Sequence, residues 1–225
     1  MFPKQSMARR RASARLLSCV LLLASSSAEA ISFDVSFVNS TYQVQSGDTY
    51  ADLLAEHNAG SLIQLTQVDA LVDISTSVYA AGVTRNYSMM MSTTLEFTQA
   101  ATYTFQVGTD WGFGGVAAVL DATDGSLVSE YVRTDDIWWD LDWAHEDVFT
   151  TSIDAEVGDR FTFAWIGFEG CCGGSSTLRF SVDGDPFEDL SETNIQPYAV
   201  PEPSTALLCS GGLWWLRGRR RSAHG

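Results

Sequence analysis

Lysine is nearly absent from this 225-residue chain, with Lys4 the only one. Between Ile31 and Val200 the only cations are Arg85, Arg133, Arg160 and Arg179, set against 26 of the 28 acidic side chains (all but Glu29 and Glu202). Such a surface repels phosphate backbones and anionic headgroups, which excludes nucleic acid as a partner. Cysteine is scarce as well. Cys19 and Cys209 lie in the terminal segments, so the adjacent pair Cys171 and Cys172 has no third cysteine between Ile31 and Val200 to bond with. The catalytic motifs that can be read from sequence are missing: His145-Glu146 is not followed by the second histidine of H-E-x-x-H, and there is no G-x-S-x-G and no G-x-x-x-x-G-K. A protein without enzymatic activity is expected. The enzyme reading left open is a glycan-cleaving carboxylate pair, whose separation is a three-dimensional quantity.

No apolar run is long enough to cross a bilayer unaided. Leu16 to Ala24 has nine residues and Ala206 to Leu216 eleven, about 16 Å of helix against a hydrocarbon core of about 30 Å. The first run follows Lys4, Arg9, Arg10, Arg11 and Arg15 and precedes the small residues Ala28 and Ala30. That order is a secretory signal peptide over residues 1–30, with signal peptidase cleavage expected after Ala30.

At the other end, Pro201-Glu202-Pro203, the apolar stretch and the cluster Arg217, Arg219, Arg220 and Arg221 follow one another over residues 201–225. This segment resembles the PEP-CTERM sorting signal of Gram-negative bacteria. The resemblance implies export, transient holding in the inner membrane by a C-terminal hydrophobic anchor, and recognition of the Pro-Glu-Pro motif by an exosortase. It also implies a final place at the cell surface or in an exopolysaccharide or biofilm matrix. The arginines obey the positive-inside bias, while the apolar stretch is shorter than is usual in that family.

Between the ends, alternation of period two predominates. Thr102 to Val107 puts Tyr103, Phe105 and Val107 on one face, and Arg160 to Trp165 does the same with Phe161, Phe163 and Trp165. Similar runs at Ser32 to Val38, Ser61 to Val68, Thr93 to Phe97, Val116 to Leu120, Leu127 to Val132, Val148 to Ile153 and Thr177 to Val182 predict about nine strands. Thr49 to His57 predicts the one helix, with Asp48 as its cap. The expectation is an all-β chain, an antiparallel β-sandwich or jelly roll over residues 31–190, with 191–200 as a linker because periodicity stops after Leu190.

Adjacent α-carbons sit about 3.8 Å apart, below the usual disulfide range, so a Cys171–Cys172 bond would close a strained eight-membered ring. Glycines at 167, 170, 173 and 174 supply a backbone able to make that turn. A vicinal disulfide, a free buried pair and intermolecular bridging are the three readings. Trp143 to Val148, Gly167 to Gly174 and Leu178 to Gly184 together resemble the Cys-Cys-X-Gly group of PEP-CTERM proteins, a likeness that covers Thr94 to Leu190 and implies no particular activity. The strand and Asp-Gly turn rhythm over Thr102 to Val132 is similar to sugar-binding jelly-roll modules.

The densest segment is Asp135 to Asp147. Read as extended, residues 138–143 place Trp139, Leu141 and Trp143 on one face and Trp138, Asp140 and Asp142 on the other. Trp139 and Trp143 read as core. Trp138, and Trp111 beside Gly112 and Gly114, read as the binding surface, because aromatic faces stack on sugar rings while Asp140 and Asp142 accept hydroxyl hydrogen bonds. Calcium is the candidate cofactor, at Asp140 and Asp142 or at Asp183 and Asp185, since oxygen-rich sites suit it and 26 carboxylates repel one another without a counter-ion. The expected function is an exported, non-enzymatic, exopolysaccharide-binding module, with a purely structural or adhesive matrix subunit as the alternative.

Overall fold

Alternating side chains become extended backbone across residues 30–201, the part of the chain that the computed structural model describes. The elements are β1 (Phe33–Asn39), α1 (Tyr50–Ala59), β2 (Ser61–Val68), β3 (Ile74–Ser75), α2 (Thr76–Tyr79), β4 (Tyr87–Phe97), β5 (Ala101–Trp111), β6 (Gly115–Asp121) and β7 (Leu127–Arg133). They continue as β8 (Ile137–Trp138), β9 (Phe149–Ala155), β10 (Arg160–Glu169), β11 (Ser175–Val182), β12 (Glu188–Asp189), α3 (Glu192–Ile195) and β13 (Ala199–Pro201). The signal peptide, Glu202, Pro203 and the arginine cluster lie outside the described residues.

The strands form two antiparallel sheets packed face to face, the β-sandwich expected from the pattern. The first runs β2-β1-β4-β10-β6-β7 with β13 added to β4; the second runs β12-β11-β5-β8, with β3 beside β11 and β9 beside β5. Phe33, Val35, Phe37, Met89, Met91, Phe163 and Trp165 from the first sheet meet Tyr103, Phe105, Val107, Phe149, Leu178 and Phe180 from the second. Each set is one face of a period-two pattern, which is why the sandwich was visible beforehand.

Strand β10 is longer than its alternation suggested. From Phe163 to Glu169 every residue is buried, because β10 is central and its outer face is covered by α1. Tyr50 and Leu53 pack there on Val116, Ala118, Ala164, Ile166 and Phe168. A strand buried on both faces reads as a continuous apolar run, so Ile166 and Phe168 gave no alternation. The helix is capped by Thr49 and not by Asp48. Thr49 accepts from the Asp52 amide and the Asp52 carboxylate accepts from the Thr49 amide, a capping box. Asp48 instead accepts from the Tyr42 hydroxyl at 2.9 Å and the Gln45 amide at 2.7 Å, closing the preceding turn.

Residues 191–200 are not a linker. Ser191 caps α3, Ile195 and Ala199 are fully buried, and β13 pairs Ala199 with Phe97 and Pro201 with Leu95. A four-residue helix and a three-residue strand are too short to show a period, so the sequence pattern vanished while the packing continued. The folded unit therefore extends to Pro201.

His57 fastens α1 to the first sheet. Its ring is 3% exposed and sits between the Ser36 hydroxyl at 2.9 Å and the Ser88 hydroxyl at 2.8 Å. Burial lowers its pKa from 6.5 to about 4. A depressed folded value means that the neutral ring contributes fully above pH 6.5 and that this contribution is lost as pH falls through 4. Urea unfolding across that window should show roughly 3 kcal/mol of acid destabilisation from this group, at about 1.4 kcal/mol per pKa unit. In His57→Gln that component should vanish and the pH profile between 6.5 and 4 should flatten.

Candidate functional site

The chemically distinctive residues gather at one end of the sandwich, where β5 and β10 finish and β8 and β11 begin. Trp111 sits there, but as core and not as binding surface: it is fully buried. Its indole N–H donates to the Ser176 hydroxyl at 2.8 Å, and its ring stands edge-on to Tyr87 at 5.5 Å. A Cβ on Gly167 would come within 2.6 Å of this ring, so that glycine makes room for it, while one on Gly174 would meet the Asp110 carbonyl first and the ring at 3.1 Å. The flanking Gly112 and Gly114 had suggested exposure. In the period-two alternation of β5, however, Trp111 follows Tyr103, Phe105 and Val107 inward.

Trp138 is the exposed one, at 60%. It faces Asp110 across the β5–β8 register, and its backbone N–H donates to the Asp147 carboxylate at 3.0 Å. Asp147 is itself buried and paired with the Arg133 guanidinium at 2.6 Å, which fixes the loop that presents the tryptophan.

The extended reading of residues 138–143 is overturned. Strand β8 ends at Trp138, Asp140 and Leu141 have φ of 51° and 57°, and the Asp142 amide donates back to the Trp139 carbonyl at 2.8 Å. A turn therefore replaces the alternation, and Asp140, Leu141 and Asp142 all point to solvent. Trp139 packs, as expected, but on the outside of the second sheet: a Cβ on Gly108 would collide with its ring. Trp143 stands edge-on to Trp139 at 4.5 Å, and Arg179 lies over Trp143 at 3.9 Å with Phe187 at 4.4 Å on its other contact. Burial lowers the pKa of Arg179, with Asp189 opposing the shift.

The candidate calcium residues are separated. Asp142 accepts from the Ala144 amide at 2.9 Å within its own turn. Asp183 accepts from the Thr102 amide at 2.9 Å at the start of β5, the end opposite Trp138, and Asp185 closes the same hairpin. Among the described residues no group of three or more His, Cys, Asp or Glu side chains is arranged to hold a metal ion.

Cys171 and Cys172 are bonded to each other and exposed, with Cα atoms 3.8 Å apart. Cys172 and Gly173 take φ of 72° and 83°, the left-handed region the turn requires. Two residues not singled out by sequence hold this loop. The buried Glu169 carboxylate accepts from the Cys171 amide at 2.8 Å and the Gly112 amide at 3.1 Å, and the buried Tyr87 hydroxyl accepts from the Gly174 amide at 2.7 Å. Burial raises the pKa of Glu169, the amide hydrogen bonds oppose that shift, and Asp110 adds to it. Asp110 is likewise raised by burial and then by Asp136. The only sequence signal for Glu169 was an acid at the end of an otherwise apolar run.

No family model matches the chain, and no curated protein matches it. Among solved structures it is similar to the A domain of epithelial adhesin 9 from Candida glabrata in complex with Galβ1-4GlcNAc. That match has a TM-score of 0.51 and 9% identity over 78% of this chain and 91% of that one. A PA14 sugar-binding domain from an RTX adhesin matches at 0.47 and 13% identity over 77% of this chain and 99% of that one. At these identities the likeness to the adhesin domain concerns the fold.

The burial difference separates the two tryptophans experimentally. Trp111→Ala should cost about 3–5 kcal/mol in chemical denaturation, as a large side chain removed from a core does. Trp138→Ala should change stability by less than about 0.5 kcal/mol.

Proposed function

We propose that this is an exported surface or matrix protein, without enzymatic activity, whose acidic β-sandwich binds carbohydrate at the loop end marked by Trp138. The observation that carries the reading is a large, flat, exposed aromatic ring whose backbone N–H is held by the Asp147 carboxylate, itself paired with Arg133, and which is set beside the half-buried Asp110. An indole face covers the C–H face of a sugar ring, carboxylates accept its hydroxyls, and a backbone already anchored spares part of the ordering entropy on binding. The shared fold with an adhesin domain solved with a disaccharide supports the same choice. The acidic surface favours neutral or cationic glycans over anionic ones.

The route of export rests on the resemblance of the two ends. Signal peptidase would release the chain after Ala30; the exosortase would act at Pro201, Glu202 and Pro203 while residues 206–216 hold the protein at the inner membrane. Pro201, the first residue of the proposed motif, belongs to β13. Among the described residues no helix is long and apolar enough to cross a membrane.

The exported protein should bind purified exopolysaccharide of its host saturably, and Trp138→Ala should weaken that binding at least tenfold, about 1.4 kcal/mol. Titrations with calcium and then with chelator test the cofactor: calcium dependence implicates the exposed carboxylates Asp140 and Asp142. Absence of binding in both conditions overturns the reading in favour of a structural or adhesive subunit. Deleting residues 201–225 should move the protein out of the membrane fraction, and unchanged fractionation overturns the sorting assignment.

A further inference from the structure

The motif least explained by Trp138 is the cysteine pair. Its loop forms one wall of a cleft of about 410 Å³ whose other wall is β3, α2 and the turn leading into β4. Ser75, Ser77 and Thr84 line this cleft, the Ser75 and Ser77 hydroxyls sharing a hydrogen bond of 2.9 Å, together with Val83 and Cys172; among the described residues Asp73 is its only charged lining residue. The volume lies within the range of small-molecule sites.

Two buried polar side chains hold the cysteine wall still. Glu169, 4% exposed, places both carboxylate oxygens on backbone amides, one of them that of Cys171; Tyr87, fully buried, receives the amide of Gly174. Burying a carboxylate is costly, and an exposed five-residue loop needs no such anchoring merely to cover a core. Anchoring of this kind is what a preformed binding wall requires. Ser75 and Ser175 are register partners, so β3 and the end of the cysteine loop are also tied to each other through the sheet.

We propose that this cleft binds one uncharged, hydroxyl-rich ring, a neutral sugar unit, with the vicinal disulfide as the apolar plate beneath it. The chemistry matches on both counts. Hydroxyl side chains exchange hydrogen bonds with ring hydroxyls, and the disulfide offers a compact, rigid surface without polar hydrogens to the ring's C–H face. Asp73 and the surrounding acidic field disfavour anions, and no cation lines the cleft. The proposal rests on the carbohydrate reading for its ligand class and not on Trp138. In register, Ser75, Ser175, Asp110 and Trp138 lie on successive strands, so the cleft is three strand spacings from the tryptophan, roughly 14 Å.

The test uses the purified exported protein and a panel of methyl glycosides of neutral hexoses and N-acetylhexosamines, followed by amide chemical shifts. The expected result is saturable binding with shifts at Ser75, Ser77 and Thr84. Thr84→Trp, which fills the mouth from an exposed turn, should weaken it at least tenfold. The double variant Cys171→Ala, Cys172→Gly should do the same, and glycine suits the backbone at φ 72°, so the fold is kept. Trp138→Ala should leave monosaccharide binding unchanged. If no glycoside binds, or if Thr84→Trp binds normally, the cleft assignment is overturned. If the exopolysaccharide still binds through Trp138 in that case, the carbohydrate reading survives; if neither ligand binds, both fail.

Discussion

The fit of one indole against glycine backbone organises the end of the sandwich where β5 and β10 finish. Trp111 reaches from β5 across the sandwich to Gly167 of β10 and touches Gly174 at the start of β11, and its N–H is taken up by Ser176. Because interiors are close-packed, the ring admits no Cβ at Gly167, while at Gly174 the Asp110 carbonyl bars one and the ring adds a tight contact. Tyr87 stands edge-on to the same ring at 5.5 Å. What looked like an exposed tryptophan among glycines is the pillar on which the exposed features stand.

Around that pillar, the protein uses buried polar groups as fasteners. Glu169 and Tyr87 hold the cysteine loop, Asp147 with Arg133 holds the Trp138 loop, and His57 with Ser36 and Ser88 holds the helix. Each exchanges hydration for directed hydrogen bonds, and leaving any partner unpaired would expose the full desolvation cost. A neutral histidine serves where a charge would be ruinous. Carboxylates serve where backbone amides converge. The result is a rim held by directed hydrogen bonds on a very acidic body.

Much of the fold was legible. Tyr103, Phe105 and Val107 alternate with polar neighbours because one side of β5 meets the opposite sheet. The same rule failed at Ile166 and Phe168, where α1 covers the second face, and at Ile195 and Ala199, where the elements are shorter than a detectable period. It also misread residues 138–143. Trp139, Asp140, Leu141 and Asp142 alternate on paper, yet left-handed backbone at Asp140 and Leu141 turns the chain and lays Trp139 on Gly108. Period two is necessary for a half-buried strand but says nothing about whether a partner strand exists to pair with it.

By itself the sequence determined the class of fold, the strong acidity of the residues between Ile31 and Val200 and the presence of an adjacent cysteine pair. These depend on composition and on local order along the chain. Only the tertiary structure decided that Trp111 is buried while Trp138 is exposed, that Asp183 and Asp185 lie at the end opposite Trp138, and that Glu169 secures the cysteine loop. Exposure and proximity are set by which strands pair and which faces are covered, and those contacts join residues as far apart as Tyr87 and Gly174. No local pattern encodes a distance across a sheet.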